Sequence, residues 1–317
     1  MSESDFKTQS KQQPKPAQAH TASEFSKVSF VEIGPEHEGQ RLDNFLIRHL
    51  KGVPKTHVYR IIRSGEVRVN KGRASADTRI ETGDVVRLPP VRISDKVAEK
   101  AARPAPGREF PLLLEDDALM AIDKPAGVAV HGGSGVSFGV IEQLRQARPL
   151  AKLLELVHRL DRETSGLMVF AKTPESKEIL QSRWDDAEKR YEAVVEGRLR
   201  EPRGIFESDL DETNPFKVFS VARSENTRHA VTHFRVLATT AHRSLVELTL
   251  ETGRRHQIRV QLSEAGCPIV GDKKYGAVSN PAKRLGLHSS ALRFPHPVSG
   301  KDMVFTCPLP KELARLV

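Results

Sequence analysis

Residues 153–171 constrain the fold more tightly than any other stretch of this chain. An apolar run (Leu153, Leu154, Leu156, Val157) leads into ten residues rich in charge, His158-Arg159-Leu160-Asp161-Arg162-Glu163-Thr164-Ser165-Gly166-Leu167. A second apolar run follows, Leu167 to Ala171. Two short apolar runs around a polar stretch predict strand, loop, strand. Thr164, Ser165 and Gly166 are residues that turn a chain. The charges of the loop therefore sit close to a core. Its central carboxylate, Asp161, lies between Arg159 and Arg162. Opposite charge nearby keeps a carboxyl ionised, the form a nucleophile needs. The same residues would also make an ion-paired surface turn, which contributes little to stability.

At 317 residues the chain has room for one large domain and one small one. The net charge is +9, and its placement says more than its size. Between Arg41 and Arg92 there are 12 Lys and Arg against 5 Asp and Glu, an excess of 7 within 52 residues. A basic excess this local points to a polyanionic partner, nucleic acid above all. Cys267 and Cys307 are the only cysteines, so neither a disulfide framework nor a cysteine zinc site is available, and a reducing compartment fits. His229 and His233 have no Glu between them and lie in a segment that reads as strand, which excludes a zinc-protease helix. No stretch approaches the ~20 apolar residues of a membrane span, and the first residues hold no apolar signal core. A cytoplasmic protein of bacterial type is expected, with neither metal nor membrane attachment. No dimerising stripe is visible, so a monomer is the expected state.

The chain divides by composition. Residues 1–27 are rich in Gln, Ser, Lys, Pro and Ala and bury too little to offset ordering entropy, so a disordered tail is expected. Residues 28–92 read as a compact basic module. Leu42, Phe45, Leu46 and Leu50 recur at helical spacing, and after Pro54 a second helix places Val58, Ile61 and Ile62 inside. Gly65 ends it, and short strands around Val67 and Val85–Leu88 follow. Residues 93–108 lose apolar content and read as a linker. Residues 109–317 mix short strands with a few helices, without a regular βαβ rhythm. That predicts an α+β domain with a mixed, mainly antiparallel sheet. Helices are expected over Pro174–Glu188 and over Gly253–Ala265, the second with Thr252 as N-cap and Arg255 and Arg259 sharing one face.

The ten residues from His158 to Leu167 resemble, almost position for position, the catalytic motif of the ribosomal large-subunit type of pseudouridine synthase. Ile122-Asp123-Lys124-Pro125-Ala126-Gly127 resembles the family's NKPxG segment, with Asp123 where Asn is usual. Lys189-Arg190-Tyr191-Glu192-Ala193 is similar to the segment with the family's tyrosine. Thr252 to Val260 resembles its TGRxHQIRV segment, and Leu287 to Leu292 its late LHAxxL strand. These follow the family's order from about Pro111 to Pro310. Further segments (Lys51–Lys55, Gly65–Lys71, Val130–Gly135, Ser137–Glu142) resemble one subgroup, whose targets lie in large-subunit ribosomal RNA.

The resemblance implies isomerisation of uridine to pseudouridine: the N1–C1′ bond breaks, the base turns over, and C5–C1′ forms. Nothing is oxidised and nothing is added, so no cofactor is implied. The sequence has neither a Walker A loop nor a dinucleotide glycine fingerprint. By resemblance Asp161 is the nucleophile, and Arg259 is its ion-pair partner, holding it ionised and directed. Arg159 fills the space that the extruded base leaves. Tyr191 stands against the base, as a stacking surface and as a candidate general base at C5. Arg254 is a candidate phosphate contact. Each has a plainer reading: a backbone-paired Arg159, a core Tyr191, a solvent-facing Arg259. His131, His158 and His256 read as structural. The basic module resembles an S4 domain, an RNA-binding unit whose exposed Arg41, Lys55, Arg60, Arg63, Arg68 and Lys71 would contact phosphates.

Three other readings are open to the residues. A protein kinase loop would use His158-Arg159-Leu160-Asp161, but no Asp-Phe-Gly and no phosphate-binding glycine loop accompany it. A glycosidase pair of Asp161 and Glu163 leaves the basic module without a role. A non-catalytic RNA-binding or ribosome-assembly protein leaves Asp161, Tyr191 and Arg259 unexplained. Within the pseudouridine reading, another structured RNA such as tRNA is the alternative target.

Overall fold

The computed structural model describes residues 27–50, 53, 55–91, 105–132, 138–151, 153–214 and 216–317, without the side chains of Glu36 and Lys55. The expected tail and most of the expected linker fall outside these residues. The described residues fall into two compact units, divided between Pro104 and Ala105.

In the first unit the apolar spacing does what periodicity dictates. Strand β1 (Ser29–Glu32) precedes helices α1 (Leu42–His49) and α2 (Lys55–Arg63), then β2 (Arg68–Val69), β3 (Gly72–Arg73) and β4 (Val85–Leu88). Leu42, Phe45 and Leu46 of α1 meet Val58, Ile61 and Ile62 of α2 in one core, closed by Val67, Ile80, Val86 and Leu88. The sheet runs β1-β4-β2-β3. Asn70 and Lys71 take positive φ (49° and 68°) to turn β2 into β3.

The second unit is built on an 11-stranded sheet. Its elements in chain order are β5 (Leu112–Glu115), β6 (Leu119–Lys124), α3 (Val140–Ala147), β7 (Glu155–Leu156), β8 (Ser165–Ala171), α4 (Pro174–Ser182), β9 (Glu188–Glu196), β10 (Arg203–Asp211), β11 (Phe219–Val221), β12 (Arg228–Thr239), β13 (Arg243–Leu250), α5 (Gln257–Glu264), β14 (Leu287–Pro295), β15 (Asp302–Thr306) and α6 (Lys311–Ala314). The order is β11-β10-β12-β13-β9-β14-β8-β6-β5, with β15 beside β14 and β7 beside β8. Among the described residues only β8 and β14 pair in parallel, so the sheet is mixed and mainly antiparallel, as expected.

Strand β8 explains why the second apolar run is unbroken. All seven of its residues are buried. Leu167, Val169 and Ala171 face a cluster that includes Leu180 of α4, while Met168 and Phe170 face one that includes Val140 and Leu144 of α3. A strand covered on both faces has no polar side to show in its sequence.

Three local expectations are corrected. Ser165 and Gly166 belong to β8, and the turn falls at Arg162-Glu163 instead. Helix α4 stops at Ser182, six residues short of the expected end, because Trp184 turns inward to stack on His158 at 4.3 Å. Lys189 Nζ then donates to the Trp184 and Asp185 carbonyls (2.9 and 3.2 Å), fixing a short 3₁₀ turn, Trp184–Asp186. Helix α5 begins at Gln257, not Gly253. The Thr252 hydroxyl accepts from Val231 N–H (2.9 Å) and donates to the Gln257 side-chain oxygen (2.9 Å), so it bridges β12 and the side chain that opens α5 instead of capping a helix N–H. The Gln257 side chain holds Arg254 N–H (3.0 Å), and His256 stands at φ 55°, a left-handed conformation that no helix interior contains.

Candidate active site

The loop between β7 and β8 is stitched down on both sides. Within it Thr164 N–H donates to the Asp161 carbonyl (3.1 Å), closing the turn. His158 Nε2 accepts from Val169 N–H (3.0 Å). The fully buried Lys124 at the end of β6 donates to the Pro125, Val128 and Arg162 carbonyls (3.0, 2.9 and 3.2 Å), locking loop and NKPxG-like segment together. Arg162 returns the bond, Nε to the Gly127 carbonyl at 3.0 Å. Burial pushes the Lys124 ammonium down to about 8, against the pull of the Glu163 and Asp161 carboxylates.

Asp161 reaches a cavity wall with its side chain 27% exposed. Arg259, on α5, donates Nη1–H to Asp161 Oδ2 at 3.1 Å. Its other edge is occupied by Asp272, Nε to Oδ2 at 2.7 Å and Nη2 to Oδ1 at 2.8 Å. Asp272 is a residue the sequence reading missed. The Arg259 side chain is 8% exposed and that of Asp272 1%. Two carboxylates hold the Arg259 proton far more tightly than usual even though burial opposes its charge. The guanidinium carbon also stands 5.1 Å from the Tyr275 ring. His256 is the second missed neighbour: its Nε2 lies 3.7 Å from Asp161 Oδ2.

Tyr191 of β9 lines the same cavity, opposite Ser289 of β14 and Leu248 of β13. Burial pushes its phenol up to about 12; the Ser289 hydroxyl works against that rise and the Asp161 charge adds to it. At neutral pH Tyr191 is therefore a phenol with a ring against the cavity, not a phenolate. The cavity holds about 460 Å³, and a smaller one of about 100 Å³ adjoins it. Arg159, Asp161, Tyr191 and Arg254 are among the residues that line both. The larger falls within the size range of small-molecule sites.

The arginines around the cavity differ in how they are spent. Arg162 is held by Gly127 and stands 3.4 Å from Glu163. Arg254 donates Nε–H to the His229 carbonyl (3.2 Å). Arg255 donates to the Glu212 carbonyl (3.1 Å) and precedes α5, so it shares no helix face with Arg259, contrary to expectation. Arg159 is exposed on the cavity rim, and among the described residues no hydrogen bond or ion pair engages its guanidinium.

In the first unit Arg41 pairs with Asp43 (2.8 Å) and Arg60 with Glu66 (3.3 Å), while Arg68 donates to the Lys71 carbonyl (3.2 Å). Arg63 lines a groove with Tyr59 and Arg73. Lys55 opens α2, and its side chain lies outside the described atoms. The exposed Arg60–Glu66 pair is of a weak kind that exchanges readily for a phosphate, whereas Asp43 is buried and also accepts from Tyr59 O–H (3.0 Å), which holds Arg41 in place. Among the described residues no group of three or more His, Cys, Asp or Glu could hold a metal ion, and no helix is long and apolar enough to cross a membrane.

Comparison with known proteins agrees with this geometry. Residues 118–264 match the family described as RNA pseudouridylate synthase, and residues 40–86 match the S4 domain. The chain is 40% identical to the ribosomal large subunit pseudouridine synthase C of Haemophilus influenzae, over 92% of this chain and 95% of that protein. It is 42% identical to the protein of that name from Yersinia pestis, over 90% and 93%. Among solved structures, human RNA pseudouridylate synthase domain containing 4 superposes with a TM-score of 0.55 at 29% identity, covering 64% of this chain and 90% of that one. With an S4 match in front, a synthase match across the loop, strand and helix that carry Asp161, Tyr191 and Arg259, and such identity over nearly full-length relatives, this chain belongs to the RNA pseudouridylate synthase family.

Proposed function

We propose that Asp161 is the nucleophile of this pseudouridine synthase, and that its target uridines lie in large-subunit ribosomal RNA. One observation carries the first part. Arg259 and His256 both face Asp161 Oδ2, and among the described residues no hydrogen bond engages Oδ1. One oxygen is anchored and the other is left for the substrate. Asp272 takes the remaining edge of Arg259. The guanidinium is thus shared, and it orients Asp161 without neutralising it outright.

A uridine inside a folded RNA is out of reach, so it leaves its stack at a cost of a few kcal/mol. Arg159 enters the gap, being the one cavity arginine without a protein partner among the described residues. Tyr191 supplies a wall for the extruded base. A proton-accepting role at C5 requires its phenolate, which burial opposes first and the Asp161 charge second. C5 becomes acidic only once its bond to C1′ has formed, so the role belongs to the last step. C5 gives up its hydrogen, N1 gains one, and the composition of the RNA is unchanged. Arg254, at the cavity edge, and Arg41, Lys55, Arg60, Arg63, Arg68 and Lys71 of the first unit contact phosphates. The target follows the names of the relatives, and a monomer acting in the cytoplasm fits it.

The test is pseudouridine formation by the purified protein, with nothing added, in unmodified large-subunit ribosomal RNA and, separately, in tRNA. Asp161→Asn is expected to abolish turnover and leave RNA affinity within about twofold. Near-normal rates in that variant would refute the assignment. Turnover on tRNA alone would move the target.

A further inference from the structure

Tyr275 sits in a 3₁₀ turn (Lys273–Tyr275) behind α5, 5% exposed. Its oxygen accepts from Val218 N–H at 3.0 Å and lies 2.7 Å from His256 Nδ1. The Val218 amide can only donate, so it takes a lone pair of the phenol. The phenol's single proton then has one partner, the Nδ1 lone pair. A neutral imidazole that accepts at Nδ1 carries its proton on Nε2. Nε2 is the atom 3.7 Å from Asp161 Oδ2. The opposite tautomer would aim a lone pair at that carboxylate. Both ends of the ring therefore select the same form.

Resting on the assignment of Asp161 as nucleophile, we infer that Tyr275 is a positioning residue for it: its hydroxyl fixes the His256 tautomer and keeps an N–H donor directed at the anchored oxygen of Asp161. At 3.7 Å this donor is just beyond hydrogen-bond range in the free protein. A small inward movement of the carboxylate on substrate binding completes the bond. Arg259 and His256 then grip Oδ2 from two sides and leave Oδ1 to react. Asp161, Arg259, Arg255, Lys274 and Tyr275 are the ionisable groups around the ring, and burial together with the three cations keeps it neutral, the state in which Tyr275 selects its tautomer. The left-handed backbone at His256 is what turns the ring back between Tyr275 and Asp161 instead of along the helix.

Three substitutions at two positions separate this from mere packing. Tyr275→Phe keeps the ring on Arg259 and removes only the hydroxyl. Turnover is expected to fall ten- to hundredfold, as for a lost hydrogen bond to a charged group, with RNA affinity unchanged. The ¹⁵N shifts of His256 should move from the Nε2–H form towards a mixture. At His256, Asn tolerates the left-handed backbone and reaches only the Nδ1 position, while Gln reaches Nε2. His256→Asn should lose as much turnover as Tyr275→Phe, and His256→Gln should recover part of it. Wild-type turnover in both Tyr275→Phe and His256→Asn would overturn the proposal, as would an unchanged tautomer in Tyr275→Phe. An active Asp161→Asn would instead overturn the nucleophile assignment beneath it.

Discussion

Asp161 and Arg259 lie 98 positions apart in sequence, yet their pairing was legible because each sits in a segment that resembles a motif. Asp272, Tyr275 and His256 were not legible as partners. A signal existed: Ile258, Val260 and Leu262 surround Arg259, so its five donors had to be met inside the protein. Sequence says that a buried arginine needs acceptors but not which loop brings them. Titration is also a property of this scale. Burial pushes His158 down to about 3 and His256 to about 4, and it lowers His288 as well. In the unfolded chain these groups titrate near ~6.5. Below that pH the unfolded state binds more protons than the folded one, so stability falls as pH falls. The slope is up to about 1.4 kcal/mol per pH unit for each histidine. Urea midpoints followed by the fluorescence of Trp184, the only tryptophan, should therefore drop between pH 6.5 and 5, before most carboxylates protonate. A midpoint flat across that interval would show that these rings are not held neutral.

Elements were predicted well where burial has one face and poorly where a chain end or a tertiary contact decides. Helices α1 and α2 obey their apolar spacing, whereas α4 and α5 were drawn too long because a histidine stack and a glutamine side chain end or delay them. The parallel pair β8–β14 could not be read at all, since register between distant strands leaves no local pattern. It rests on Gly166, which stands at φ 110° with Ser289 of β14 opposite it. A Cβ there would lie 2.2 Å from the Ser289 carbonyl oxygen. Only glycine lets β14 close on β8, and that closure sets Ser289 and its neighbour Tyr191 beside the Asp161 loop. Gly166→Ala should cost at least ~3 kcal/mol, from the strained φ and the clash together, and should remove activity along with stability. A loss under about 1 kcal/mol by urea denaturation would mean that the two strands have room to part.

At the scale of the whole molecule, charge and chemistry are divided between two cores. The first unit closes its own core from Ile33 to Val91, and its basic surface is carried by that fold. This division was legible because charge is a sum over residues and survives any error in element boundaries. The consequence is thermodynamic. Binding at phosphates releases counterions, and each phosphate engaged contributes a slope of about −0.7 to −0.9 to the dependence of log K on log salt. Deleting residues 28–92 should therefore weaken binding to large-subunit ribosomal RNA and flatten that slope by about one unit for each phosphate that the shortened protein no longer engages. The single-turnover rate at saturating RNA should change less than affinity does, because Asp161, Arg259 and Tyr191 all belong to the second unit. Titrations from about 50 to 200 mM salt decide it. A slope identical to that of the full chain would place the RNA on the synthase unit alone, and Arg41, Arg60, Arg63, Arg68 and Lys71 would be surface charges without a phosphate to meet.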